Sequence, residues 1–442
     1  MAISELNQLP PHRRRSRAAT LIAALAGLLL LGNGIAQAAQ GPAGPSPSAH
    51  HRISKVYLTV TPEKPKTIPG GRTPLPRTSP RSVHGGIVVR PHATIPTPSQ
   101  PITPDECLAH PSSSSGNGWA KGRFDSCQSY HLRTWHVVCD WWFCDQVGTA
   151  DADLVDYQYT DDGDRQITVS QFIGNWTSKG DMSEVDLTVN TTCDSTLGSG
   201  PCDTAFGAPT MEPVESWLLL GDQVQYYVFN QPTAAGVGTD RVSHANLSWH
   251  LTADGGENGP VTRDGPASQV RCDSASYLLY AGAGNGCVFP WAPTPTWTIH
   301  RSTTPQSAQN IYEAQTTPLA TQPPSSILGI PFKDIAGAPG VAPLHRDADQ
   351  DDISKHRNTA RAACRKYFPG AYPADNIDCD EYPFASTLEG SVNYGNFRNY
   401  VVKPIDSKDN QDAGTELGTF YAAQRILGDD GINDPFYVSV QP

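Results

Sequence analysis

Positive charge is scarce in this 442-residue chain. Its 32 Lys and Arg stand against 44 Asp and Glu, a net of −12, and charged residues make up only 17%. That balance excludes a protein coated in positive charge for static nucleic-acid packaging, but not an enzyme with one local basic face. C-x-x-C pairs are absent as well, and the tightest cysteine spacing, Cys139 to Cys144, has no partner cluster, which argues against a zinc site. Between 105 and 300 no stretch keeps a helical period for long. Beyond His356 there is no histidine, so a general base in that part of the chain has to be a carboxylate.

What is abundant is Gly and Pro, 39 of each, so much of the chain reads as linker or loop. At about 150 residues per domain the length allows two or three domains. Arg13, Arg14, Arg15 and Arg17 precede a nearly unbroken apolar run over 18–31, and Ala36-Gln37-Ala38 fits a small-x-small cleavage site. This predicts a signal peptide over 1–38 and a secreted, extracellular protein without stable membrane insertion after cleavage. Residues 39–104, dense in Pro, Ser and Thr, read as a linker or propeptide interrupted by strand-like islands at 55–60 and 86–89. In an oxidising compartment the ten cysteines, an even number, read as a disulfide framework, and sequential pairing is expected because successive cysteines flank single turns or hairpins.

Runs at 135–139, 166–170, 185–189, 223–229 and 245–251 alternate apolar with polar residues, the period of half-buried strands, and turn signals such as Asp254-Gly255 separate them. The expected fold is therefore multidomain, with a disulfide-braced antiparallel β-sandwich-like accessory domain over 105–300. A second Pro-rich linker over 301–328 would separate it from a small α+β domain over 329–442. A fragment beginning near Gly329 is then expected to fold and work alone.

Chemistry concentrates in that last segment. The alternating acids Asp347, Asp349 and Asp351 read best as an acidic helix N-terminus, because Asp352 stands where a calcium loop needs Gly. The helix expected over 354–367 places Arg357, Arg361 and Arg365 on one face with Lys366 beside them, a row of guanidinium groups suited to DNA phosphates. Phosphodiester hydrolysis needs a base for water, a metal to bear charge and a cation near the phosphate. Asp380 and Glu381 offer adjacent carboxylates, Arg398 a cation, and Glu389 and Asn410 oxygen ligands of the hard type that Mg²⁺, Mn²⁺ or Ca²⁺ prefer. In an extended strand Asp380 and Glu381 point to opposite faces, so only one is expected to serve the site directly.

The string Cys379-Asp380-Glu381-Tyr382-Pro383-Phe384-Ala385, then Glu389-Gly390 and the Asp409-Asn410 loop, resembles the core of the secreted NucA/NucB-type bacterial deoxyribonucleases. The resemblance covers about a quarter of the chain. It departs at Ser391, where family members often have a second Gly, and at Gln411-Asp412, where a Gly-containing turn is usual. A strand at the Asp380-Glu381 string, a second at 399–403 and a helix from near Gly414 also resemble a ββα-metal core, with Asp380 in the place of the usual histidine base. The resemblance implies a metal-dependent, sequence-nonspecific endonuclease acting on DNA. The alternative is a non-catalytic extracellular protein that binds carbohydrate or cell wall and carries a degenerate nuclease-like tail. Retention of Asp380, Glu381, Glu389 and Asn410 favours the enzyme.

Overall fold

Alternation of side chains fixes most of the architecture. In the computed structural model, which describes residues 52–62, 102–140, 142–160, 163–196, 202–278, 284–392, 399–429 and 431–442, the run at 245–251 lies in a strand whose Ala245, Leu247, Trp249, Leu251 and Ala253 all face inward. The signal-peptide segment, residues 63–101 and Arg398 lie outside the described residues.

The strands up to residue 288 are β1 (Arg52–Pro62), β2 (Trp119–Gly122), β3 (Asp125–Asp140), β4 (Phe143–Thr160), β5 (Gln166–Gly180), β6 (Asp186–Thr196), β7 (Asp203–Phe206), β8 (Thr210–Pro213), β9 (Gln223–Asn230), β10 (Ser243–Asp254), β11 (Val261–Asp264), β12 (Ser268–Asp273) and β13 (Gly286–Val288). They form a seven-stranded sheet in the order β1-β3-β4-β5-β9-β7, with β2 also on β3, and a six-stranded sheet in the order β13-β12-β10-β6-β8, with β11 on β10. Every pairing in both sheets is antiparallel. The two sheets share a core: Leu58, Leu132, Leu154 and Ile173 of the first pack in one cluster with Leu187, Val189, Trp249 and Leu251 of the second. Short helices α1 (Pro104–Ala109) and α2 (Val214–Leu220) accompany the sheets. The island at 55–60 is part of β1, which pairs with β3.

Five disulfides join successive cysteines, as expected: Cys107–Cys127, Cys139–Cys144, Cys193–Cys202, Cys272–Cys287 and Cys364–Cys379.

The stretch 301–328, expected as a linker, carries regular structure. Strand β14 (Thr296–His300) is followed by helix α3 (Pro305–Thr316), whose first residue is a proline. Proline at the first helical position lacks only an N–H that no turn would use, so it starts helices rather than breaking them. After it come β15 (Ser326–Ile327), β16 (Ile330–Pro331), β17 (Leu344–His345), α4 (Gln350–Tyr367), β18 (Ile377–Tyr382), β19 (Val401–Asp406), α5 (Ser407–Ala423) and β20 (Pro435–Gln441). Strand β20 pairs in parallel with β14 and antiparallel with β17, while β18 and β19 form an antiparallel pair with α5 directly after it.

The core of this region holds Trp297 and Ile299 of β14, Ile311 of α3, Leu417 and Tyr421 of α5, and Phe436 and Val438 of β20, together with Val242, just before β10, and Ala275 and Leu278, just after β12. Buried ion pairs cross the same junction. Asp434 meets Arg123 at 3.0 Å and Arg271 at 2.7 Å, and the fully buried Arg425 meets the fully buried Asp273. Residues 51–442 accordingly make one compact unit, in which a boundary at 328 cuts through packed structure. No helix of the described residues is long and apolar enough to cross a membrane.

Candidate active site

Among the described residues strand β18 pairs with β19 alone, and charged side chains gather beside it. There lies a cavity of about 620 Å³, lined by Asp378, Asp380 and Glu381 of β18, by Arg357, Arg361 and Arg365 of α4, by Ser307 and Ile311 of α3 and by Asn410 of α5. Trp297, Phe384 and Tyr421 supply apolar wall.

Each wall follows from its sequence. Helix α4 starts four residues before the expected helix, where the Asp349 carboxylate accepts from the backbone N–H of Asp351 and Asp352. The acidic run is thus the helix cap it was read as. The four-residue spacing of the arginines then carries all three to the cavity, where they remain exposed to solvent. Lys366 does not line it; its ammonium lies over the Tyr367 ring, 5.3 Å from the centroid. Helix α5 begins at Ser407, not near Gly414, because the Asp406 carboxylate caps it by accepting from Lys408 and Asp409 N–H. Asn410 is therefore fixed in a first helical turn rather than carried on a loop. Gln411 and Asp412, where the resemblance departs, are helical residues, with Asp412 paired to Lys408 one turn back.

Asp380 and Glu381 both line the cavity, although strand alternation led only one of them to be expected there. Asp380 is 8% exposed, and its Oδ2 accepts from Asn310 Nδ2 at 3.0 Å. Burial pushes its pKa up to about 7 against the opposing pull of that hydrogen bond and one from the Glu381 backbone N–H. Burial and the neighbouring Asp380 push Glu381 up to about 8, while Arg357 and Arg361 pull it back. Asp378, two residues before Asp380, accepts from Asn410 Nδ2 at 3.3 Å.

Glu389 is placed elsewhere. Its carboxylate accepts from the His345 backbone N–H at 2.8 Å and pairs with His345 Nδ1 at 2.8 Å, and it does not line the cavity. The following Gly390 is a packing requirement, since a Cβ there would come 2.5 Å from Nδ1 of the buried His356. Ser391, where the family often has Gly, donates its hydroxyl to the His356 carbonyl at 2.8 Å.

Asp378, Asn310 and Ser307 were not among the residues expected from the sequence. The strand period, which puts Asp378 on the face of Asp380, was the available signal for the first. For the other two it was the proline-led helix start at Pro305.

A divalent cation can be tested against the donors present. Among the described residues no group of three or more His, Cys, Asp or Glu is arranged to hold a metal ion. Such a set marks a closed, all-protein site, whereas Mg²⁺ keeps several waters and takes one or two carboxylates together with substrate phosphates. Asp378, Glu381 and Asn410, all hard oxygen donors on one cavity, fit the second arrangement.

No curated protein and no solved structure matches the chain. A family model does match, over residues 336–433, a stretch that contains β18, β19, α4, α5 and the acids and arginines of the cavity. Its description is Deoxyribonuclease NucA/NucB, and the C-terminal region of the chain is therefore a NucA/NucB-type deoxyribonuclease domain.

Proposed function

We propose that the protein is a secreted, metal-dependent, sequence-nonspecific endonuclease that hydrolyses DNA phosphodiester bonds in the cavity beside β18. The observation that carries this reading is the meeting of a buried carboxylate, Asp380, with three guanidinium groups, Arg357, Arg361 and Arg365, across one solvent-open space. Each planar guanidinium can hold two phosphate oxygens at once, and contacts of that kind follow the backbone rather than the sequence. Asp380 takes a proton from the attacking water, the role a histidine fills in other nucleases and which no histidine beyond His356 can take here. Glu381, beside Arg357 and Arg361, is the neighbouring acid on the same cavity. Asp378 and Asn410, with Glu381, would hold the divalent cation, which when bound supplies positive charge for the non-bridging and leaving oxygens. Antiparallel β18 and β19 followed by α5 support a ββα-metal-like arrangement of these groups. Five disulfides support export to an oxidising compartment.

Plasmid digestion tests the reading. The full chain should nick and degrade plasmid in Mg²⁺ or Mn²⁺ and stop on addition of chelator. Asp380→Asn keeps size and loses the basic oxygen, and should cut about a hundredfold more slowly. An Asp380→Asn protein that cuts at the parental rate removes Asp380 as base. A parental protein that cuts nothing leaves a binding protein with a degenerate nuclease-like tail.

A further inference from the structure

Helix α3 lies wholly before the residues that match the family, yet it forms one wall of the cavity. It is tied to the site at three points. The Asp409 carboxylate, next to Asn410, accepts from Gln306 N–H at 3.0 Å and Ser307 N–H at 2.9 Å, covering two donors of the helix N-terminus that have no partner within the helix. In the middle Glu313 pairs with Lys403 of β19 at 2.8 Å. At the far end Gln315 donates to the Tyr382 hydroxyl and to the Val438 carbonyl, both at 3.0 Å. Asn310 stands between these anchors, 1% exposed, with Ala308, Ile311 and Ala314 packed in the core around it. Asparagine is a mediocre helix former and its amide is costly to bury, so at a purely structural position an apolar residue would serve better. Its amide nitrogen donates to Oδ2 of Asp380 at 3.0 Å. An ionised carboxylate only accepts, so the amide NH₂ has to be the side of Asn310 that faces it.

We propose that Asn310 is a positioning residue of the nuclease site: its amide, held rigid by α3, fixes the orientation of the Asp380 carboxylate toward the attacking water. This rests on the reading of Asp380 as general base. Asn310 holds the carboxylate by its Oδ2. A base misdirected by a fraction of an ångström meets its water in the wrong geometry, which is where a positioning group acts on rate. Substrate affinity depends on the arginines of α4 and is unaffected by Asn310, so the role predicts a loss in kcat and not in KM.

The test uses the full chain and steady-state cleavage of a labelled duplex. Asn310→Ala should lower kcat about ten- to a hundredfold, the scale of one hydrogen bond to a charged group, with KM within twofold of the parent. Asn310→Asp, nearly the same shape, should be slower still because a second carboxylate faces Asp380. Asn310→His, which restores an N–H donor, should recover part of the loss suffered by Asn310→Ala. Circular dichroism and melting temperature report folding, and if the Ala variant does not fold the isosteric Asp variant decides. Parental kcat in a folded Ala or Asp variant overturns the proposal. So does an equal loss in all three variants accompanied by a raised KM, which marks a structural role. Asp380→Asn run alongside separates the two readings: loss there with parental rates at position 310 refutes the positioning role alone, and parental rates at both refute the general base itself.

Discussion

Replacing Asp434 with Ala should unfold the molecule more readily than any change at its surface. The Asp434 carboxylate lies between Arg123 and Arg271, which are 5% and 2% exposed, and it also accepts from Leu427 N–H at 2.9 Å. Against the cost of burial, the two guanidiniums hold its pKa down to about 2, from 3.8. Two units correspond to about 2–3 kcal/mol in favour of the charged form. The truncation also leaves two buried cations without their carboxylate, and breaking a buried pair in this way costs about 3–5 kcal/mol. Urea unfolding followed by tryptophan fluorescence at pH 7 should therefore show a loss of about 3–5 kcal/mol for Asp434→Ala, with a somewhat smaller one for Asp434→Asn, which keeps the shape. The sign of the pH dependence follows from a depressed carboxylate: its contribution is complete above the unfolded pKa near 4 and is lost as pH falls toward 2. The gap between parent and variant should narrow over that window. A variant within 1 kcal/mol of the parent at pH 7, or a gap that does not change between pH 5 and pH 2.5, would refute the argument.

Two further outcomes are expected. A fragment beginning at Gly329 should fail to give an active fold, because it lacks β14, the parallel partner of β20, as well as α3, Asp273 and the two arginines that hold Asp434. Folded and active Gly329–Pro442 protein would show those contacts to be dispensable. Arg361→Ala should weaken DNA binding about uniformly across sequences and lower the slope of log affinity against log salt by about one, measured by fluorescence anisotropy between 50 and 200 mM salt. An unchanged slope would place Arg361 off the phosphate path.

Much of the site was legible because its signals are local. The four-residue spacing of Arg357, Arg361 and Arg365 put them on one helix face, whereas strand alternation led only one of Asp380 and Glu381 to be expected at the cavity that both line. The alternation at 245–251 marked β10, and closely spaced cysteines marked their own partners. Long-range placement was not legible. Proline density between 290 and 324 has the look of a linker, yet Pro305 opens α3, and nothing local says that Asn310 ends beside a residue seventy positions away. Glu389, expected with Asn410 as a hard oxygen ligand, pairs with His345, a contact that nothing local in the sequence announces.

The approach of Gly390 to His356 bears on how distant relatives can be recognised. Glu389-Gly390 is among the strings that carry the family resemblance, but here the glycine answers to the imidazole packed against it, and Ser391 and Val392 both bond to that same histidine. The pair should drift together: a chain that enlarges position 390 has to shrink position 356, and the dipeptide can vanish while the acids of β18 stay. Searches that weight Glu-Gly as chemistry would discard such chains, and searches that follow the covarying pair would retain them.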